Sequence, residues 1–258
     1  MKALPNKKQR NLIKPGTIWQ LGEHKLACGD AKDKNLIKKL VGTDIINLLC
    51  CDVPYGVAAT ESKRNFQTLA KDKVIANDHL QSDGEYKIFT QSWLEAVKPF
   101  LARKNSVYIF NADKMVFALR EGMIGAGFKL AQLLIWVKSS AVIGRLDYAP
   151  AHELIAYGWF GAHAFAHSKD RSVLHYPKPN KSPMHPTTKP LGLIRRLILN
   201  SSKIGEVVYD GFLGSGTTLL ACEQTKRKCI GVELDAEYCQ LIINRFKLLT
   251  GIEAEQIN

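Results

Sequence analysis

Residues 45–51, Ile-Ile-Asn-Leu-Leu-Cys-Cys, are almost continuously apolar and run straight into Asp52. A strand with one wet face would alternate. An unbroken apolar run is the pattern of a central strand buried on both faces, the usual environment of a parallel sheet covered by helices. The rest of the chain agrees, because short apolar runs alternate with amphipathic stretches. Strands are expected at 25–28, 45–51, 107–110, 133–137, 154–157, 207–209 and 229–232, and helices at 86–100, 112–125, 191–200, 217–225 and 236–248. The expected class is α/β.

A chain of 258 residues, 46% hydrophobic and 23% charged, has the composition of a soluble domain with a sizeable core. It holds no apolar run near the ~20 residues of a membrane span, and its N-terminus is basic with no apolar signal region behind it, so a cytoplasmic protein is expected. Six cysteines lie mostly inside apolar runs without Cys-x-x-Cys spacing. They are expected to be reduced and buried rather than disulfide-bonded or metal-bound. The formal charge of +12 points to a polyanionic partner, nucleic acid foremost.

Residues 1–20 carry five basic residues and no acid, and are expected to form a basic arm ahead of a single domain over 21–258. Gly158 to Pro190 shows little strand or helix pattern and holds His163, His167, His175 and His185. An irregular stretch of this length in a compact α/β domain is expected to be a functional loop or lid. The spacing of His163 and His167 lacks the acid of a His-Glu-x-x-His site, so no metal is expected.

Two motifs carry chemistry. In the first, Asp52-Val53-Pro54-Tyr55, the buried strand delivers Asp52 to its C-terminal edge, where open α/β sheets bind ligands. Pro54 fixes its own φ and biases Val53 to an extended backbone, which turns the Val53 carbonyl outward beside the Asp52 carboxylate. Two acceptors facing one spot suit an exocyclic amine that must turn its lone pair on an electrophile, and Tyr55 offers a face on which an extruded base can stack. The second motif runs from Asp210 through Gly211, Phe212, Leu213, Gly214, Ser215 and Gly216 to Thr217-Thr218. It has the shape of a strand, a glycine turn and a helix whose first N–H groups face an anion, without the Lys of a phosphate-gripping loop. Glu233 closes the next strand, at the distance where an acid commonly takes the two hydroxyls of a ribose.

Asp-Val-Pro-Tyr resembles the Asp-Pro-Pro-Tyr motif of amino-group DNA methyltransferases, and Asp210 to Thr218 resembles their S-adenosylmethionine motif. Cys28-Gly29-Asp30 is similar to the segment whose acid holds the cofactor's adenine. His185-Pro186-Thr187-Thr188-Lys189-Pro190 resembles the helix entry beside the cofactor's methionine end. The catalytic motif precedes the cofactor motif, which matches the circularly permuted beta group and favours DNA over RNA. The resemblance implies a Rossmann-like S-adenosylmethionine-dependent methyltransferase sheet, circularly permuted, with a target-recognition insertion over 139–184. It implies catalysis by Asp52, Val53, Pro54 and Tyr55, and cofactor contacts from Asp30, Asp210, Phe212, Gly214, Ser215, Gly216, Thr217, Glu233, His185, Thr187 and Lys189. Lys138, Arg145, Tyr148, Lys169 and Arg171 are the expected contacts to double-stranded DNA. A homodimer and a cognate restriction endonuclease are further expected partners, in a bacterial, phage or prophage setting.

The expected reaction is methyl transfer to the N6 amine of a flipped adenine. Cytosine-N4 methylation, RNA methylation and a catalytically weakened DNA-binding module remain the alternatives. Two positions depart from the family pattern: Val53 replaces the first proline of the catalytic motif, and Gly211 replaces the proline after the first acid of the cofactor motif. The second is expected to loosen its turn.

Overall fold

The structure is a computed structural model and describes residues 13–56, 81–141, 147–166, 170–177 and 189–258. Its strands are β1 (Ile18–Leu21), β2 (His24–Cys28), β3 (Ile46–Asp52), β4 (Leu101–Asn111), β5 (Phe128–Val137), β6 (His152–Phe160), β7 (Ala162–His163), β8 (Val173–His175), β9 (Val207–Asp210), β10 (Lys228–Glu233) and β11 (Glu255–Gln256). The helices are α1 (Lys34–Val41), α2 (Asp83–Val97), α3 (Val116–Gly125), α4 (Leu191–Ser201), α5 (Thr217–Thr225) and α6 (Ala236–Thr250).

One sheet runs in the order β11-β1-β2-β10-β9-β3-β4-β6-β5-β8, with β7 against β4. Strands β2, β10, β9, β3 and β4 are mutually parallel, while β6 is antiparallel to both β4 and β5. Strand β3 is central, as its apolar run requires. Leu49 and Cys51 pack in the core under α1–α3, and Leu48 and Cys50 in the core under α4–α6. The one polar residue inside the run, Asn47, accepts the Val207 N–H at 3.1 Å where the β3 register shifts.

Local chemistry sets the helix starts. Asp33 caps α1 through the N–H groups of Asn35 and Leu36, Ser82 and Glu85 form a capping box on α2, and Asp235 caps α6. Pro99 ends α2 in a 3₁₀ turn over Lys98–Phe100, shortening the helix expected at 86–100. A second 3₁₀ turn, Asp113–Met115, delays α3 to Val116.

Several expectations need correction. The basic arm expected over 1–20 overlaps the fold, because Ile13 is buried and Ile18–Leu21 form β1, while residues 1–12 lie outside the described residues. The stretch 139–184 contains β6, which lies inside the main sheet, and β7 and β8, which pair with β4 and β5. The Gly158–Pro190 segment is therefore partly sheet; its three-residue β8 is too short to show a period. Helix α1 lies outside the expected helices, its Asp33 cap and apolar Leu36, Ile37, Leu40 and Val41 standing among lysines. All six cysteines are buried and free.

Candidate active site

The sheet reverses its winding between β9 and β3. From β9 the chain crosses through α5 to β10 on one side; from β3 it crosses through α2 to β4 on the other. The crevice beyond the C-terminal ends of these two strands is the topological switch point, where open α/β sheets hold ligands. Asp210 ends β9 and Asp52 ends β3, so both sequence motifs meet there.

On the β9 side, Asp210 is buried and accepts the Phe212 N–H at 3.0 Å. Burial pushes its pKa up to about 7, with Thr218 and the Phe212 N–H pulling the other way. Gly214 and Gly216 take φ of 53° and 82°, left-handed values natural to glycine. Gly231 in β10 has no room for a side chain, since a Cβ there would lie 2.2 Å from Leu213 Cδ1. At Gly211 a Cβ would lie 3.1 Å from the Ala31 Cβ and 3.3 Å from the Tyr209 ring, so a side chain there would be tightly packed. Among the described residues no side chain caps the start of α5.

Glu233 folds back onto this loop. Its carboxylate accepts the Gly214 N–H at 2.7 Å and the Asp235 N–H at 2.9 Å. Burial nevertheless raises its pKa to about 7. Asp30 lies beyond the adjacent end of β2, half-exposed, with its carboxylate on the Lys32 N–H at 2.9 Å. The Gly29 N–H donates to the Glu233 carbonyl at 2.9 Å, which ties the two acids' loops together. The buried Tyr209 hydroxyl has no partner among the described residues. Two carboxylates along one edge, a helix start without a side-chain cap and a glycine-rich loop are the donor and acceptor set that a nucleoside carrying an amino-acid tail requires.

On the β3 side, Asp52 belongs to a packed charge cluster. Lys189 Nζ lies 2.7 Å from its carboxylate, and the Tyr55 hydroxyl lies 3.1 Å from the other oxygen. Tyr55 donates more closely, at 2.8 Å, to Glu153, which also pairs with Lys138 at 2.8 Å and Lys189 at 3.3 Å. Lys189 Nζ also lies 5.3 Å from the ring centres of Tyr55 and Phe110. Burial raises the Asp52 pKa against the pull of Lys189, with Glu153 adding to the rise. For Glu153 burial acts the same way, but Lys189 and Lys138 outweigh it and hold the pKa at about 2. Burial would lower the Lys189 pKa, and the two carboxylates more than reverse that. Burial, reinforced by both carboxylates, pushes the Tyr55 phenol well up, so it stays a donor and its ring orientation is fixed.

Two lysines have partners that their expected roles do not include. Lys138, expected as a DNA contact, has a side chain 7% exposed and paired with Glu153. Lys189, expected at the cofactor's methionine end, lies against the Asp52 carboxylate. Glu153 had no expected role of its own; its signal is an acid just ahead of the apolar run of β6. Tyr148 is 91% exposed. Arg171 is exposed ahead of β8, displaced along the strand from the edge that carries Asp52. Phe212 packs against Phe89 and Trp93. His185, Thr187, Arg145 and Lys169 lie outside the described residues.

The same fold occurs in the solved complex of M1.HpyAVI with S-adenosylmethionine, with a TM-score of 0.62 and 22% identity over 85% of this chain and 98% of that one. It also occurs in PvuII DNA methyltransferase, described as cytosine-N4-specific, with a TM-score of 0.69 and 18% identity over 91% of this chain and 89% of that one. The architecture is that of the S-adenosylmethionine-dependent DNA methyltransferases.

The profile of the N6/N4 DNA methylase family matches residues 46–244, from the start of β3 into α6, and the chain belongs to that family. Among curated relatives, Type II methyltransferase M.HpaI of Haemophilus parainfluenzae is 27% identical over 241 residues, covering 82% of this chain and 72% of the relative. Type II methyltransferase M2.MboI of Moraxella bovis is 23% identical over 231 residues, covering 80% and 82% respectively. The protein is a DNA methyltransferase of the N6/N4 amino-group class, and its cofactor is S-adenosylmethionine.

Proposed function

We propose that the protein methylates the N6 amine of an adenine turned out of duplex DNA. The observation that carries this reading is the Asp52 carboxylate at the switch point, held by Tyr55 and Lys189 across the crevice from the Asp210–Gly216 loop. When bound, the cofactor supplies a methyl group activated by its sulfonium. Glu233 takes the ribose hydroxyls and Asp30 the adenine amine. The start of α5, with Gly214, Ser215, Gly216 and Thr217, meets the amino-acid end, beside Asp210 and Phe212. His185 and Thr187 join from the segment ahead of α4.

Asp52 and the Val53 carbonyl accept the two N–H bonds of the target amine and leave its lone pair free, while the Tyr55 ring stacks on the base. Lys189 keeps Asp52 ionised, and its raised pKa makes it a stronger base than a free aspartate for the proton the amine must shed. An aspartate at this position favours adenine, since the resemblance places serine more often in cytosine-N4 enzymes. Exposed Tyr148 and Arg171, with Arg145 and Lys169, supply DNA contacts. A homodimer and a cognate restriction endonuclease complete the proposed setting, in the cytoplasm.

Incubation with labelled cofactor and DNA or RNA, followed by nucleoside analysis, tests the reading. Label in N6-methyladenine of DNA is expected; label in N4-methylcytosine, in RNA, or nowhere overturns it. Asp52→Ala is expected to bind cofactor and lose methyl transfer by at least about a thousandfold. Retained transfer would remove Asp52 from the chemistry.

A further inference from the structure

Val53 stands where the family pattern has proline, and the turn that carries Asp52 and Tyr55 therefore lacks one covalent lock. The structure holds this turn from below. The buried Tyr86 of α2 donates its hydroxyl to the Pro54 carbonyl at 3.0 Å. Asn111, buried at the end of β4, donates its Nδ2–H to the Tyr86 hydroxyl at 3.0 Å. The direction of this chain follows from chemistry. A proline carbonyl can only accept, so Tyr86 must donate to it, and the amide of Asn111 must donate to Tyr86. The other end of the Asn111 amide, Oδ1, is buried without a partner among the described residues, so the side chain is kept there at a cost.

The tyrosine ring holds the turn as well. Gly56 takes φ +64°, and a Cβ there would lie 3.1 Å from Tyr86 Cδ2, so the backbone lies directly on the ring. The same helix face continues to the other half of the site. Tyr86 packs on Phe89 with ring centres 5.8 Å apart, and Phe89 and Trp93 pack on Phe212 of the glycine loop at 5.8 and 5.5 Å. Positions 86, 89 and 93 share one side of α2, so a single rigid element touches both the catalytic turn and the cofactor loop.

We infer that Tyr86, oriented by Asn111, is a positioning residue that sets the Asp52–Tyr55 turn against the cofactor loop and substitutes for the missing proline at Val53. The inference rests on the methyltransferase reading but is independent of which base is methylated. A turn released from its anchor misplaces both acceptors of the amine, and errors near 1 Å are worth up to about a hundredfold in rate.

The test is a cycle of Tyr86→Phe, Val53→Pro and the double variant, read by kcat, cofactor Kd and amide exchange at Tyr55 and Gly56. Tyr86→Phe is expected to lower kcat by about tenfold or more, leave cofactor Kd within about twofold and speed exchange at both amides. Val53→Pro alone serves as the reference for the double variant, in which it is expected to restore most of the kcat lost in Tyr86→Phe and to slow the exchange again. Equal losses with and without Val53→Pro, unchanged exchange, or a loss seated in cofactor Kd would overturn the inference. If Tyr86→Phe does not fold, Asn111→Ala takes its place, with a smaller loss and the same rescue. A natural protein that transfers no methyl group would refute the proposed function, and the exchange series would still decide whether Tyr86 holds the turn.

Discussion

Glu233 gives cofactor binding a dependence on pH that can be worked from its surroundings. The side chain is 9% exposed, and burial carries its pKa from 4.5 up to about 7, although the N–H groups of Gly214 and Asp235 stabilise the ionised form. In the empty protein the folded pKa exceeds the unfolded one. The stability it contributes is therefore fully present below about pH 4.5 and is lost as pH rises through about 7. With Glu233 on the ribose as proposed, cofactor binding reverses the preference, because the carboxylate accepts from both hydroxyls while the protonated acid gives up one oxygen as a donor. Affinity must therefore rise with pH. With a midpoint near 7 the ionised fraction falls from about 0.9 at pH 8 to about 0.1 at pH 6, which weakens Kd by about tenfold. Asp210, with the same midpoint, steepens the change toward a hundredfold if it must ionise too. Isothermal titration of S-adenosylmethionine between pH 6 and 8 at constant ionic strength measures it. The α-amino group of the cofactor also titrates near this range, at about 7.7–8.0 in model compounds, so Glu233→Gln and Asp210→Asn are the references. Glu233→Gln should bind more weakly at pH 8 and lose about a tenfold component of the pH dependence. If natural protein and Glu233→Gln show the same slope, the assignment of Glu233 to the ribose fails.

The Asp52 cluster makes two further predictions. Glu153→Gln leaves two buried ammonium groups against Asp52 alone, and should lower stability by about 2 kcal/mol, less than a fully buried pair because the Glu153 side chain is 18% exposed. It should also reduce kcat through a loosened Tyr55; denaturant titration and turnover check both, and an unaltered protein would show that the ion pairs are incidental. Lys138→Ala should destabilise the fold while leaving the salt dependence of DNA binding unchanged, because its ammonium is engaged by Glu153. A decrease of about one in the slope of log K against log salt would instead return Lys138 to the phosphate contacts.

The contrast between what the sequence reveals of this site and what it hides has a geometric origin. Asp52, Asp210 and Glu233 each end a strand, and in a parallel sheet every strand end faces the same edge, so a local rule suffices to find them. Helix α5 is legible to the residue because the glycine turn marks its start, although most of its positions are buried and it shows little amphipathic period. Glu153 obeys no such rule. It begins an antiparallel strand, and only the registers Trp136↔Glu153 and Asn111↔Leu154 reveal that the start of β6 shares an edge with the ends of β4 and β5. Once that strand is in place, a carboxylate sits at the catalytic edge beside Asp52, and two like charges so close need counter-ions. Lys138 comes from the end of the neighbouring strand and Lys189 from the entry to α4, 137 positions from Asp52 in the chain. Read one at a time, a lysine after a strand looks like a surface group and a lysine before a helix looks like a ligand contact. Only the sheet order shows that both answer the same buried acids, and it does so for Tyr86 as well, whose partner Pro54 lies across a crossover connection. The chemistry of individual strand ends is written locally, whereas the charge balance and support of the Asp52–Tyr55 turn depend on which ends the topology makes neighbours.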